Sequence, residues 1–580
     1  VLSTALAFVT FSALAWLAPG LLVVAAGLLL VRLARPVLAL LVRATRGSGR
    51  LGLFLGSRQA VRRPAGLRLA ALLAVTIGLA TFAVDAQASA AHSRDVRAGA
   101  DIGAPTSVAV QQDPSIDLQQ VVDDVDPDGR WAMVAADWIP SGGLAGRLLA
   151  VEPDRLAAVA NWAPQYGDLD AAQVAALIDP PLPPAVPLTG DRVRLTIDAS
   201  AVPDEAPDVL VSYRGADDAP TLAIAGPLRP GSQTYEAPLP CADQSCVLYG
   251  FVLDRAQTTT DDDVDLTVAA VQVPDAGGWK DVEAGLADPG SWRLSRYTGT
   301  VAGSLTAGAD GLRLRGPLPP FSSPFVQYAD VPDPLPLVTS ASIARAGTEL
   351  TLVDGNGRDV RAVSAGEATV LPLVGSRGSI TGLSALSRVA QQLDDDADWY
   401  IWLGPDAPAD AVERLAAAGV VVDRVSTTAE RSDQLSREGP ALALRLLLVC
   451  AVVGALLAAG ALAISVAVTG RRRSYELAAL SAVGVTRRSL LLGCVLEQAL
   501  LLGTGLVVGV PVGIVVARLA LPLLPQTSSP TAVPIAVDLQ TAAVLVFTVV
   551  TAALLLATAV VAGAALLRQA APERLREVAA

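Results

Sequence analysis

Residues 469–493 read TGRRRSYELAALSAVGVTRRSLLLG, and the fold follows from how this stretch joins its surroundings. It begins where an uncharged run, Leu446 to Gly470, ends, and it leads into a second run from Gln498 to Ala517. Between them Glu476, Leu477, Leu480 and Val483 recur at helical spacing, with Arg471, Arg472 and Arg473 before them and Arg487 and Arg488 after. Apolar residues on one side and arginines at both ends describe a short amphipathic helix at a membrane surface, with Gly484 permitting a break before the next span.

Three more uncharged runs occur, Val1 to Val31, Leu69 to Val84 and Leu539 to Leu567. Each nears or exceeds the roughly 16 to 20 residues that cross about 30 Å of hydrocarbon, with flanking arginines snorkelling. Short basic loops stay in the cytoplasm. Arg32 to Arg68 holds nine arginines and no acid, and the 471–488 loop carries five arginines against Glu476 alone. The 519–540 loop has no base, and Arg568, Arg574 and Arg576 follow the last span. The expectation is about five spans, at 1–31, 69–86, 441–470, 489–518 and 539–567. Segments 32–68, 471–488 and 568–580 are then cytoplasmic, while 87–440 and the 519–538 loop lie outside, in a bacterial plasma membrane. The first run reads as one span rather than a hairpin turning at Pro19-Gly20, which puts the N-terminus outside. A cleaved signal peptide fits poorly, since the run is long and has no basic start.

Residues 87–440 are dense in Pro, Gly and Asp and carry alternating strands. Val193, Leu195 and Ile197 share one face, Val264 to Val273 continues the period, and Thr348–Val353, Asp354–Gly357 and Arg358–Val363 form a hairpin. A helix is expected over Ala409–Ala418, ended by Gly419. The flanks read as α+β, and residues 186–318, nearly free of helical period, as an inserted β-sandwich. Overall the fold class is a membrane protein with an α-helical transmembrane bundle and a large α+β extracytoplasmic domain. Cys241 and Cys246, outside by this topology, are expected to form a disulfide. Cys450 and Cys494, inside apolar runs, are expected to be buried. Asp124, Asp126, Asp128 and Gly129 imitate the start of a calcium loop, but Pro127 and Ala135 break the pattern, so a solvated turn is expected. Asp261–Asp263 and Asp394–Asp396 read as exposed loop charges.

The chain holds one lysine, Lys280, and one histidine, His92. A phosphate-binding loop needs a lysine after glycine, and Lys280 stands in GGWKD, so no nucleotide cofactor and no enzymatic activity are expected of this chain. One histidine leaves no multi-histidine metal site and a poor prospect for a Ser-His-Asp triad. The net charge of −13 belongs mainly to the middle domain, which argues against nucleic acid as a partner; the basic loops need only anionic membrane lipid. Abundant arginine and alanine with one lysine suggest a GC-rich genome such as an actinobacterium. Gly505, Gly509 and Gly513 repeat every four residues, the spacing that lets two helix backbones approach. Glu497, in the inner half of the same span, needs a basic partner or water.

The 469–493 segment resembles the signature of FtsX-like and MacB-like ABC permeases, with Arg471, Arg472, Arg473, Glu476, Leu480, Ala482 and Gly484 at matching positions, followed by Arg487 and Arg488. It departs at Ser474-Tyr475, which adds a residue, and at Ser481, where a base is common. A second likeness lies in Phe54 to Val84, where Arg58, Arg62, Arg63 and Pro64 precede the span that feeds the exterior domain. The resemblance implies a partner ABC ATPase that binds the ATP, a coupling helix over the 471–488 positions, a second permease half or protomer, and an exported or extracytoplasmic client. The extra N-terminal span is similar to the middle of a ten-span permease, which would make this chain its second half. Two rivals remain open, a membrane-anchored glycan- or peptide-binding protein without an ATPase and an exterior hydrolase using carboxylates.

Overall fold

The computed structural model describes residues 20–29, residue 32 and residues 64–569, apart from 112, 114–115, 142–145, 216–219, 256–261, 276, 296–302, 319–322, 391–392, 394–396, 483–484 and 522–539. Most side chains between 462 and 489 also lie outside the described set. The chain divides into two units, residues 1–102 with 426–580, and residues 103–425.

Four long helices make the first unit: α1 (Pro64–Ile102), α2 (Gly439–Ala482), α3 (Arg487–Ala520) and α4 (Thr541–Gln569). Among the described residues these four are long and apolar enough to cross a membrane, and a shorter apolar helix spans Gly20–Leu29. Cores shared between them show the course of the chain. Ala451 of α2 meets Ala80 and Ala83 of α1, while Ala458 meets Leu73 and Ile77, so α2 runs antiparallel to α1. Phe547 and Leu555 of α4 follow the same descending order. The helices therefore alternate in direction, and residues 64, 482, 487 and 569 share one end of the bundle.

The outer surface of this bundle is apolar. Leu456 and Leu457 on α2 and Leu545, Val549 and Leu554 on α4 are exposed, as suits helices whose solvent is lipid. Cys450 lies on that surface and is exposed, contrary to the expectation of burial. The reason is that only the α1-facing side of α2 is covered. Cys494 lies outside the described side chains.

The second unit is rich in sheet. Its first strands are β1 (Thr106–Val110), β2 (Ala132–Trp138) and β3 (Arg147–Val151). Ten strands then form a separate sheet: β4 (Pro187–Ala201), β5 (Asp208–Arg214), β6 (Pro220–Pro227), β7 (Gly231–Asp254), β8 (Asp262–Asp275), β9 (Gly278–Asp281), β10 (Trp292–Leu294), β11 (Ser304–Gly308), β12 (Gly311–Leu318) and β13 (Phe325–Tyr328). The chain returns to the first sheet through β14 (Leu335–Ser340), β15 (Glu349–Val353), β16 (Asp359–Ala368), β17 (Gly378–Gly382), β18 (Ala397–Leu403) and β19 (Val422–Thr427). The order β15-β16-β14-β17-β3-β2-β18-β1-β19 is mixed, with β14–β16 and β17–β3 parallel.

Both faces of this nine-stranded sheet are covered, and β2 shows why its sequence is apolar throughout. Val134 and Ala136 enter a core with Leu118, Val122, Leu386 and Leu415, whereas Met133 and Ala135 enter another with Leu156, Val159, Val174 and Ile178. Successive side chains of a strand point to opposite faces, so helices on both sides require an unbroken apolar run. The hairpin of β15 and β16 turns on Asp354, whose carboxylate accepts from Asn356 N and Arg358 N at 3.0 and 2.8 Å, with Gly357 at φ +78°.

In the ten-stranded sheet β4 alternates, with Val193, Leu195 and Ile197 buried. These residues meet Val209 and Val211 of β5, Phe251 of β7 and Leu312 of β12 in one core. Cys241 and Cys246, both on β7, are joined by a disulfide and buried against it. The acidic run after the helix Leu118–Val125 is dispersed. Asp126 is buried and accepts from Trp131 N and Ala132 N at 2.7 and 2.9 Å, Asp124 bonds Gln120, and Asp128 pairs with Arg130. Among the described residues no group of three or more His, Cys, Asp or Glu is placed to hold a metal ion. Asp261 and Asp394–Asp396 lie outside the described residues.

Arg214 at the end of β5 forms an ion pair with Asp330, both nearly fully buried, and the Asp330 carbonyl also accepts from Arg388 of the helix Leu383–Val389 at 3.5 Å. A buried carboxylate stripped of its cation is costly. Arg214→Ala is expected to lower the unfolding free energy of the full chain in detergent by about 3–5 kcal/mol, and Asp330→Ala in the same chain to recover part of the loss. Chemical denaturation followed by tryptophan fluorescence measures both; an unchanged midpoint for Arg214→Ala would refute the account.

Candidate functional site

α1 is the hub of the helix bundle. It is the most buried of the four candidate spans, and α4 is the least. The closest approach is to α3. A Cβ placed on Gly505 would stand 2.8 Å from Leu73 Cβ, one on Gly509 would stand 2.8 Å from Ala74 O, and one on Gly513 would stand 2.6 Å from Gly78 O. Real side chains do not tolerate such distances, so the four-residue glycine repeat lets the two backbones touch. The contact rises in step along both helices, so α1 and α3 are parallel.

Gly78 is pressed from two sides. A Cβ there would lie 3.0 Å from Val23 Cγ1, on the helix Gly20–Leu29, and 3.2 Å from Gly509 O. Gly27 of that same helix abuts Val75. Thr81, completely buried, returns its hydroxyl to Ile77 O at 2.8 Å, which satisfies it within an apolar contact. One turn later Asp85 is 2% exposed and accepts from Gln540 N at 3.1 Å, occupying a backbone donor at the start of α4. Arg518, in the last turn of α3, adds attraction to Asp85.

Sequence reasoning singled out Gly505, Gly509 and Gly513 but not Gly78 or Asp85. Gly78 had no spacing partner on its own helix. Asp85 was legible as the acid that ends the uncharged run from Leu69, yet only the fold reveals Gln540 as its partner.

The 471–488 segment takes a different course from a separate surface helix. α2 is continuous for 44 residues, from Gly439 through Arg471–Arg473, Glu476 and Leu480 to Ala482, and α3 begins at Arg487. The side chains of Arg471, Arg472, Arg473, Glu476, Leu480, Ala482, Arg487 and Arg488 lie outside the described residues, as do Gly484 and the side chain of Glu497. Thr486 stands in extended geometry before α3, and its carbonyl accepts from Leu490 N at 3.1 Å. α2 therefore ends at Ala482 and α3 starts after Thr486, at the bundle end where α1 begins.

Apolar helices of membrane length packed through glycine, with a sheet-rich domain in the chain between α1 and α2, fit a membrane permease. Residues 448–571 match the family described as FtsX-like permease C-terminal. The matched stretch takes in most of α2, all of α3 and α4, and the turn between α2 and α3, and it supports an FtsX/MacB-like ABC permease subunit. The search of curated proteins found no match.

If the glycine contact holds α3 to α1, Gly509→Ala must separate the helices, at a cost of about 1–3 kcal/mol typical of overpacking. Gly503 has nothing within 4 Å of its added Cβ, so Gly503→Ala is the matched control. Thermal unfolding in detergent is expected to show a lowered midpoint for the first variant only. Equal midpoints would dismiss the contact as a stability determinant.

Proposed function

We propose that this chain is the membrane half of an ATP-driven machine that performs work on the far side of the membrane, with ATP hydrolysed by a separate ABC ATPase subunit. The observation that carries the reading is the FtsX-like match over 448–571, which encloses the segment 471–488. The lone lysine, Lys280, sits on β9, far in sequence from any glycine loop opening a helix, so the nucleotide site is assigned to the partner.

In this reading the end of the bundle shared by residues 64, 482, 487 and 569 is cytoplasmic, in agreement with its arginines. Residues 87–440 are then extracytoplasmic, and the ten-stranded sheet is a β-sandwich inserted into that domain for client contact. The ATPase binds around Arg471–Arg473, Glu476 and Gly484, and a second permease half or protomer completes the apolar surface.

The lengths of the helices support transmission of motion. α1 has 39 residues and α2 has 44, about 58 and 66 Å at 1.5 Å per residue, roughly twice the hydrocarbon thickness. Beyond the apolar part of α1, the helix Thr428–Ser436 is tied to it, with Arg431 Nε on Asp101 at 2.9 Å and Ser432 on Asp95 at 2.5 Å. A push on the 471–482 end of α2 is therefore carried by one unbroken rod. Few ionisable groups line the described spans, which favours mechanical work over a polar channel.

Purification of this chain from its native membranes, with bound subunits tested for ATP hydrolysis, tests the reading. A co-purifying nucleotide-hydrolysing subunit is expected. Glu476→Ala or Gly484→Leu is expected to leave membrane insertion intact and to reduce chain-stimulated ATP hydrolysis by about tenfold or more. Failure to recover any ATPase, or full stimulation in both variants, would overturn it.

A further inference from the structure

Past Asp85, α1 leaves its apolar segment and carries two arginines one turn apart on its buried face. Arg97 is 5% exposed, and its Nε and Nη1 are buried without a hydrogen-bond partner. Its nearest described carboxylate oxygen, Asp101 Oδ2, lies 3.7 Å from Nε. That oxygen is already engaged by Arg431, through Nε at 2.9 Å and Nη2 at 2.8 Å. Arg94, 9% exposed, makes no ion pair with a described carboxylate; its neighbour Asp95 is held by Ser432. Arg445, an exposed residue in α2, stands close enough to repel Arg94.

Four guanidinium groups, of Arg94, Arg97, Arg431 and Arg445, thus stand against two carboxylates, Asp95 and Asp101. Arg97 has only the long ion pair with a carboxylate that Arg431 already holds, and its two buried donors without a partner carry a desolvation cost that a bound oxyanion relieves. Guanidinium groups present forked donors matched to oxyanions, and a phosphate offers at least two unesterified oxygens to such a fork.

We infer that Arg94, Arg97 and Arg445 bind a phosphate-bearing anion, with Arg97 as the buried anchor. Arg94 lies nine residues beyond Asp85, about 13 Å along the helix. This is the height of lipid headgroups if Asp85 marks the edge of the hydrocarbon. Placing the site at the outer leaflet rests on the orientation proposed above; the anion chemistry does not, and neither needs an ATPase. The same chemistry is offered by an anionic phospholipid headgroup or by a soluble phosphate.

The full chain in phosphatidylcholine nanodiscs, with or without phosphatidylglycerol, provides the test, with native mass spectrometry counting retained lipid. Wild type is expected to retain phosphatidylglycerol. Arg97→Gln and Arg445→Gln are each expected to weaken retention by about tenfold, the loss of one charge-assisted hydrogen bond. Arg445 is exposed, so its variant keeps the fold even if Arg97→Gln does not. Arg437→Gln, which removes a partner of Asp433, is expected to change nothing. In discs of phosphatidylcholine alone, inorganic phosphate that raises the thermal midpoint of wild type but not of Arg445→Gln would support the same site with a soluble ligand. Equal lipid retention in wild type, Arg97→Gln and Arg445→Gln, together with no arginine-dependent effect of phosphate, would overturn the proposal.

Discussion

Backbone contact between α1 and α3 is the constraint on which the helix bundle depends. Lipid tails are as apolar as leucine, so burial of apolar surface gives helices in a membrane little reason to associate; close packing must supply it. Glycine at 509 and 513 of α3 and at 78 of α1 brings carbonyl oxygens, and glycine at 505 brings Leu73 Cβ, close to positions where a methyl group would stand. Everything else in the bundle is arranged around α1. The short N-terminal helix covers Gly78 from one side, α2 lays Ala451 on Ala80 and Ala83, and Asp85 accepts a hydrogen bond from Gln540 N just before α4.

α1 and α3 form the tight pair of the bundle, and α2 and α4 are less buried against it. In sequence α1 leads into the sheet-rich part of the chain, and the helix Thr428–Ser436 leads out of it to α2. In the proposed function, force is transmitted by α1 and α2. The family match lies in the last third of the chain and is silent on the domain in the middle.

The sequence exposed the parts of this design that depend on local pattern. Long uncharged runs marked α1 through α4, strand alternation at Val193, Leu195 and Ile197 marked β4, and the turn residues Asp354 to Gly357 marked a hairpin. Two sheets were distinguishable because helical period vanishes after about residue 186. Less legible was anything set by long-range pairing. The mixed order of the nine-stranded sheet joins β3 to β17 across more than two hundred residues, and no local feature of Arg147–Val151 announces it. The continuity of α2 through Gly470 was also hidden, since glycine and three arginines suggest a boundary by composition.

Buried charge occurs in both units. In the sheet-rich domain cations are answered by acids, as Arg214 by Asp330 and Arg155 by Asp126 and Asp123, and Asp126 further spends its oxygens on backbone donors. Toward the C-terminal end of α1, Arg97 keeps two donors unanswered, and the acid beside it is shared with Arg431. In the inference drawn above, a bound anion repays the cost of leaving the Arg97 donors open.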